Sequence, residues 1–415
     1  MRARGFLIML VSAVIMFAAN TWAANGRILY RFTGGTDGSG PSTLLMDSAG
    51  NLYGAAGGGG NANDCTEQAQ NGCGVIFELR QVNGAWQQSV MYAFQGGSDG
   101  SVPSGNLVFD AAGNLYGTTA LGGGSEACYQ GCGTVFELSP NQKGGWTENV
   151  LYRFQGNADG ASPEGVITDK AGNLYGVAQA GVQYRGVVYE LSAPQWTKKV
   201  LYTFTEGLQI FPSPGLVFDS GGSLYGTYSE NYACFPQCGA VYRLTPKNGT
   251  WTETDLIVFP GGGNGGNPTA PVILDARENI FGTTNAGGNN FGVAFELRNE
   301  SGHYKPVMLH NFCSLNHCAD GKSPRSALLM SANGVVYGTA PFGGQAGVSD
   351  GIVFKLEITK YGWRQTVLHS FAGGADGEYP GNLISDTQGN LYGVTWSGGD
   401  QHGQRGYGTV FEITP

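Results

Sequence analysis

Short apolar stretches recur along the whole chain, separated by turns rich in Gly, Asp, Asn and Ser, with no long helical spacing of apolar positions. Three patterns carry the repetition. One is NLYG at 51–54, 114–117, 173–176 and 390–393, with SLYG at 223–226, NIFG at 279–282 and VVYG at 335–338. A second is VIFEL at 75–79, then TVFEL (134–138), VVYEL (187–191), AVYRL (240–244), VAFEL (293–297), IVFKL (352–356) and TVFEI (409–413). The third is LYRF at 29–32 and 151–154, MYAF at 91–94, LYTF at 201–204, LIVF at 256–259, LHNF at 309–312 and LHSF at 368–371. Each occurs seven times, and the last Gly of the first pattern returns every 50 to 63 residues. Aromatic and β-branched runs bounded by turn residues predict strands.

The second unit shows the order within a repeat. SGNLVFD (104–110) ends in the turn DAAGN, NLYGTT follows, then a Gly-rich loop, GTVFELSP (133–140), a KGG turn and WTENVLYRF (146–154). That is four strands joined by hairpins. Val135 faces one way and Phe136 and Leu138 the other, so the strands are buried on both sides, as in sheets stacked around an axis. A four-stranded unit repeated seven times predicts an all-β, seven-bladed β-propeller with antiparallel blades. The last unit stops at Pro415 without a Trp-bearing fourth strand, and an orphan strand stands at Leu29–Phe32. Pairing of this N-terminal strand into the last blade would close the ring and remove two bare sheet edges. An open solenoid would need polar capping units, and neither end offers one. Residues 25–415 are therefore expected to form one propeller domain.

Residues 1–24 read as a secretory signal peptide: Arg2 and Arg4, an apolar run from Phe6 to Ala19, then small residues at Ala23 and Ala24. The apolar run is shorter than the ~20 residues of a membrane span, so no span is expected after cleavage. The net charge of −9 becomes −9 − 2 = −11 without that leader. So acidic a chain repels phosphate backbones, which argues against nucleic acid as a partner. Eight cysteines form four close pairs, Cys65/Cys73, Cys128/Cys132, Cys234/Cys238 and Cys313/Cys318. In an exported chain these read as local disulfides, each closing a small loop for about 2 kcal/mol. A metal site is the other reading, but only one pair brackets a His, His317. A secreted or periplasmic monomer is expected.

The string GNLYGTT…GG…GTVFELSP…W…VLYRF…DG..P resembles the GloVer tandem repeat of bacterial choice-of-anchor exported proteins, over nearly the whole chain after residue 24. The resemblance implies an exported bacterial protein with a propeller-like fold, and it brings no activity or catalytic residues with it. A looser likeness to propeller lactonases lies in the pattern around VFDAAGNLYG.

Candidate chemistry gathers in the segments after each third pattern: DGSGP (37–41), DGSVP (99–103), DGASP (159–163), NGGNP (264–268), DGKSP (320–324) and DGEYP (376–380). Symmetry puts Asp37, Asp99, Asp159, Gln209, Asn264, Asp320 and Asp376 in a ring on the loop face. Such a rim suits Ca²⁺ or the hydroxyls of a glycan. The competing reading is that each Asp caps its own turn ahead of a Gly. Asp47, Asp110, Asp169, Asp219, Asp275 and Asp386 stand in the D-x-x-G-N hairpin turns and read as structural. Trp396 and Phe211 lead a set of loop aromatics, with Tyr129, Tyr184, Tyr232, Phe235, Phe342 and Tyr379, that are able to stack on sugars. Trp86, Trp146, Trp196, Trp251 and Trp363 repeat too regularly to be a site. The expected role is binding of a glycan or protein ligand on the loop face, without cofactor unless Ca²⁺ is held. The alternatives are a hydrolase, lactonase or lyase acting at the central mouth, and a structural envelope protein.

Overall fold

A computed structural model describes residues 25–60, 65, 72–180, 185–204, 210–230, 238–345, 350–399 and 406–415. The expected leader 1–24 and the Cys234–Cys238 pairing lie outside the described residues. Seven antiparallel sheets follow one another along the chain, with strands taken in order from first to fourth. Blades 1 to 6 cover 39–93, 101–153, 161–203, 210–258, 273–311 and 329–370. The seventh joins Glu378–Ser385, Leu391–Ser397 and Thr409–Thr414 to the N-terminal strand Asn25–Arg31. That strand runs antiparallel from Asn25 opposite Thr414 to Arg31 opposite Thr409, and Arg27 Nε donates to Glu412 at 2.7 Å. The seven-bladed ring is closed by its two chain ends.

The blades are wedges. First strands of neighbouring blades, such as Ser39–Met46 and Ser101–Phe109, lie against one another, whereas fourth strands touch their neighbours only sparsely. The first strands therefore line the axis. Between blades the core is built from the repeat patterns themselves. The Phe ending each third pattern meets the aromatic of the next blade's second pattern: Phe32–Phe77, Phe94–Phe136, Phe154–Tyr189, Phe204–Tyr242, Phe259–Phe295, Phe312–Phe354 and Phe371–Phe411, with centroids 5.0–5.2 Å apart. Such tilted pairs contribute about 1 kcal/mol each beyond their burial. The Gly of the first pattern makes room for this aromatic. A Cβ on Gly117 would stand 2.6 Å from Phe136 Cζ and 2.7 Å from Leu107 Cδ2.

Each D-x-x-G-N turn is an Asx turn between first and second strands. Asp110 Oδ1 accepts from the backbone N–H of Ala112 at 2.8 Å and of Asn114 at 2.9 Å. The blades depart from ideality at their first strands. In blade 4 this strand splits into Ile210–Pro212 and Val217–Phe218, and in blades 5 and 6 it shrinks to Ile273–Leu274 and Leu329–Met330. Disulfides join Cys65–Cys73, Cys128–Cys132 and Cys313–Cys318. They fit an oxidising compartment. Among the described residues no helix is long and apolar enough to cross a membrane.

Candidate functional site

The loops that follow the third pattern hold the expected carboxylates, and each is engaged within its own turn. Asp37 accepts from Tyr30 OH at 2.9 Å and Thr33 N at 2.8 Å; Asp99 from Tyr92 OH at 2.9 Å and Gln95 N at 2.5 Å. Asp159 accepts from Tyr152 OH and Gln155 N, both at 2.7 Å. In the last two blades to carry the motif the ring is a histidine. His369 lies 3.1 Å from Asp376, which also accepts from Ala372 N at 2.9 Å. His310 lies 3.1 Å from Asp320, which also takes Ser314 N, Ser314 Oγ and Leu315 N. Burial by itself would raise the Asp320 carboxyl, but the His310, Ser314 and Leu315 bonds outweigh it and hold it at about 2.

These five clamps stand at five separate blade joints, beneath the outer strands. Lys198, on a fourth strand and with a side chain only 4% exposed, reaches Asp159 Oδ1 at 2.7 Å. The geometry thus brings each Asp to its own Tyr or His and does not bring the carboxylates to one another. Among the described residues no three His, Cys, Asp or Glu are arranged to hold a metal ion. A groove of about 430 Å³ between the Asx turns of blades 7 and 1 is lined by Trp86, Gln81 and Gln388. Its carboxylates, Asp47 and Asp386, are likewise spent on their turns.

A different ring forms where each first strand begins. The residue before its Pro adopts left-handed backbone at Val102 (φ 56°), Ser162 (52°), Asn267 (54°), Ser323 (53°) and Tyr379 (59°). That conformation is costly for a side-chain-bearing residue, and at four of these positions the N–H is bonded to the preceding blade. Val102 donates to Cys73 O and Ser162 to Cys132 O, both at 2.9 Å, Ser323 to Phe291 O at 2.6 Å and Tyr379 to Asp350 O at 3.0 Å. At these five positions the backbone conformation is the same, and the side chains on it differ from blade to blade.

Between blades 6 and 7 this rim is aromatic. Phe342 and Tyr379 meet edge to face at 5.4 Å. Tyr379 stands opposite Trp396 in the ladder, between the pairs Glu378–Ser397 and Pro380–Thr395. The Trp396 side chain is half exposed, at 51%. Lys322 lies 5.8 Å from the centre of Phe342 and 5.9 Å from that of Phe291, which lies in blade 5. Asp350 and Glu378 close the rim, Glu378 accepting from Ser397 Oγ at 3.2 Å. Burial and the negative Glu378 and Asp376 push the Asp350 carboxyl up. Phe211 takes the equivalent rim position in blade 4, half-buried opposite Ser229. Tyr129 is 81% exposed on its disulfide loop, while Tyr184, Tyr232 and Phe235 lie outside the described residues.

Among known proteins, the Gloeobacter/Verrucomicrobia repeat matches residues 25–233 and 181–411. The chain belongs to this repeat family. No curated protein matches it. Solved propellers share the fold. One is a provisionally titled 6-phosphogluconolactonase from Bacteroides fragilis, 14% identical, TM-score 0.51, covering 79% of this chain and 85% of that one. Another is a protein from Lactobacillus plantarum, 13% identical, TM-score 0.50, covering 79% and 84%. A third, of unknown function, from Dyadobacter fermentans, is 11% identical with TM-score 0.50, covering 94% and 100%. At such identities they speak for the fold alone.

Sequence reasoning on this repeat missed Lys322, Phe291 and Glu164. Glu164 is the sole carboxylate within the axis-lining strand Ala161–Thr168, and burial pushes its carboxyl up to about 7. Their signal in the sequence is weak: the slot after the repeated Pro, where Glu164 stands, also holds Arg325, and the slot before the Gly that opens the second pattern, where Phe291 stands, also holds Arg185, Asp350 and Tyr407.

Proposed function

We propose that this repeat protein is a secreted or periplasmic binding protein whose loop-face rim at blades 6 and 7 recognises a glycan. The observation carrying this reading is the aromatic trio Phe342, Tyr379 and Trp396, of which Trp396 is half exposed. Sugar rings stack their C–H faces on such platforms, and neighbouring carboxylates accept their hydroxyls. Asp350 and Glu378 stand where those hydroxyls would fall. The Asp clamps are not needed for contact in this reading, and Trp396 and Tyr379 take their place, with Phe211 as a second subsite. The test is a glycan array probed with residues 25–415, with and without Ca²⁺. Binding reduced at least tenfold in Trp396→Ala, with an unchanged melting temperature, supports the rim; an empty array for the unaltered protein in both conditions removes it.

A second reading, a hydrolase or lactonase working at the axis, rests on Glu164. A carboxyl held near 7 by burial is poised as a general acid or base. Lactone and ester hydrolysis by the unaltered protein at pH 7, lost in Glu164→Gln, would favour it. Equal turnover by both forms, or none by either, would leave the axis without chemistry.

A further inference from the structure

At three blade joints a side chain on the fourth strand of one blade is bonded to the crossing that leads into that blade. The position two residues after the repeated Trp makes the contact. In blade 1 Gln88 Nε2 donates to the Asp37 carbonyl at 3.0 Å, and in blade 6 Gln365 Nε2 donates to the Asp320 carbonyl at 3.2 Å. In blade 3 the Lys198 ammonium donates to both the carbonyl and the carboxylate of Asp159. Three joints are thus closed by the same kind of bond: a side-chain donor onto the backbone of the Asp clamp.

In blade 2 that position is Glu148, and the clamp it faces is Asp99. An ionised carboxylate only accepts hydrogen bonds, and the carbonyl and carboxylate of Asp99 also only accept. Glu148 Oε1 is buried without a hydrogen-bond partner. A buried acceptor left unmade against two further acceptors is costly. A proton removes the conflict, because a neutral carboxyl donates just as the Gln88 amide does.

We propose that Glu148 takes up a proton from solvent and donates its O–H to Asp99, so that the joint between blades 1 and 2 tightens as pH falls through neutrality. The surroundings agree. Burial first, then the negative Asp99, push the Glu148 carboxyl up to about 7, with Arg153 on the same strand opposing them. Arg153 is itself turned to the Ser98 carbonyl, 2.9 Å from its Nε. Tyr92, from the last strand of blade 1, donates to Asp99 Oδ1 and is raised by burial and by Asp99, so it stays neutral throughout. Burial also raises Asp99, against the Gln95 and Tyr92 bonds. The folded Glu148 carboxyl lies above its ordinary 4.5, so its stabilisation is complete below about 4.5 and is lost as pH rises through about 7.

Glu148→Gln supplies the donor permanently, as Gln88 does. Melting temperatures of the full chain from pH 5 to 8.5 test the proposal. The unaltered protein should lose roughly 3 °C across pH 6–8 that the variant keeps, giving the variant the higher melting point at pH 8. Gln88→Glu should carry the same loss to the joint of blades 7 and 1. An infrared band of a protonated carboxyl at pH 5.5 should vanish in Glu148→Gln. Parallel melting curves for Glu148→Gln and the unaltered chain, or a variant less stable at pH 8, would overturn it.

Discussion

Asp320 shows what a single side chain does in this ring. Its carboxylate is fully buried and collects His310, both donors of Ser314 and the Leu315 N–H, closing the crossing that carries the Cys313–Cys318 disulfide. A carboxyl lowered from 3.8 to about 2 stabilises the fold above its unfolded value and stops doing so as pH falls through about 2. The shift alone corresponds to about 2 kcal/mol, and removing one side of a buried, fully bonded carboxylate costs about 3 kcal/mol. Asp320→Ala should therefore lose about 3 kcal/mol at pH 7 in urea unfolding, with the deficit shrinking below pH 3. A variant as stable as the unaltered chain at pH 7 would show that the clamp contributes nothing. The Tyr-to-His replacement leaves this device intact, because a ring at the end of the fourth strand still reaches the Asp seven residues on at Asp376, or ten at Asp320 where the disulfide lengthens the crossing.

At the scale of the element, what the sequence made legible is what repeats within one blade. The Asx turns at Asp110 and Asp386, the Gly117 that clears Phe136, and the Phe94 that reaches Phe136 follow from short-range spacing and recur in register. What stayed hidden depends on partners a full blade away. The first strand of blade 5 is short because Pro271 has no N–H to give the ladder. In blade 6 the Ala327 N–H goes instead to Asn382 Oδ1 of the next blade, at 2.8 Å. The aromatic rim was half legible: Phe342, Tyr379 and Trp396 stood out as loop aromatics, but their convergence needs Tyr379 in left-handed backbone, tied to Asp350. No spacing rule encodes that turn. The acidic ring was legible as a motif, and the reading that each Asp caps its own turn covers its backbone bonds; the Tyr or His partner stayed hidden because it lies inside a strand pattern read as packing.

At the scale of the molecule, closure sets the behaviour of every blade. Seven wedges around an axis leave no bare edge only if the last sheet is completed from the other end of the chain. Asn25–Arg31 does this along its length, Phe32 N donates to the Gly408 carbonyl at 3.0 Å, and Phe32 then packs on Phe77 of blade 1. The strand therefore completes one sheet and supplies the core between two. Deleting residues 25–32 should expose the Thr409–Thr414 edge and empty a slot against Phe77, so light scattering should find larger, aggregated species than for the unaltered chain. Covalent joining of the ends offers the converse. Asn25 and Thr414 are ladder partners, so a short linker between them with a new opening in the exposed turn at Lys143–Gly144 preserves every strand pair. That permuted chain should melt within a few degrees of the original and show the same mass by light scattering. A truncated chain of unchanged association state and stability would mean the closing strand is an ornament on six and three-quarter blades, and the shared blade would lose its role in holding the ring.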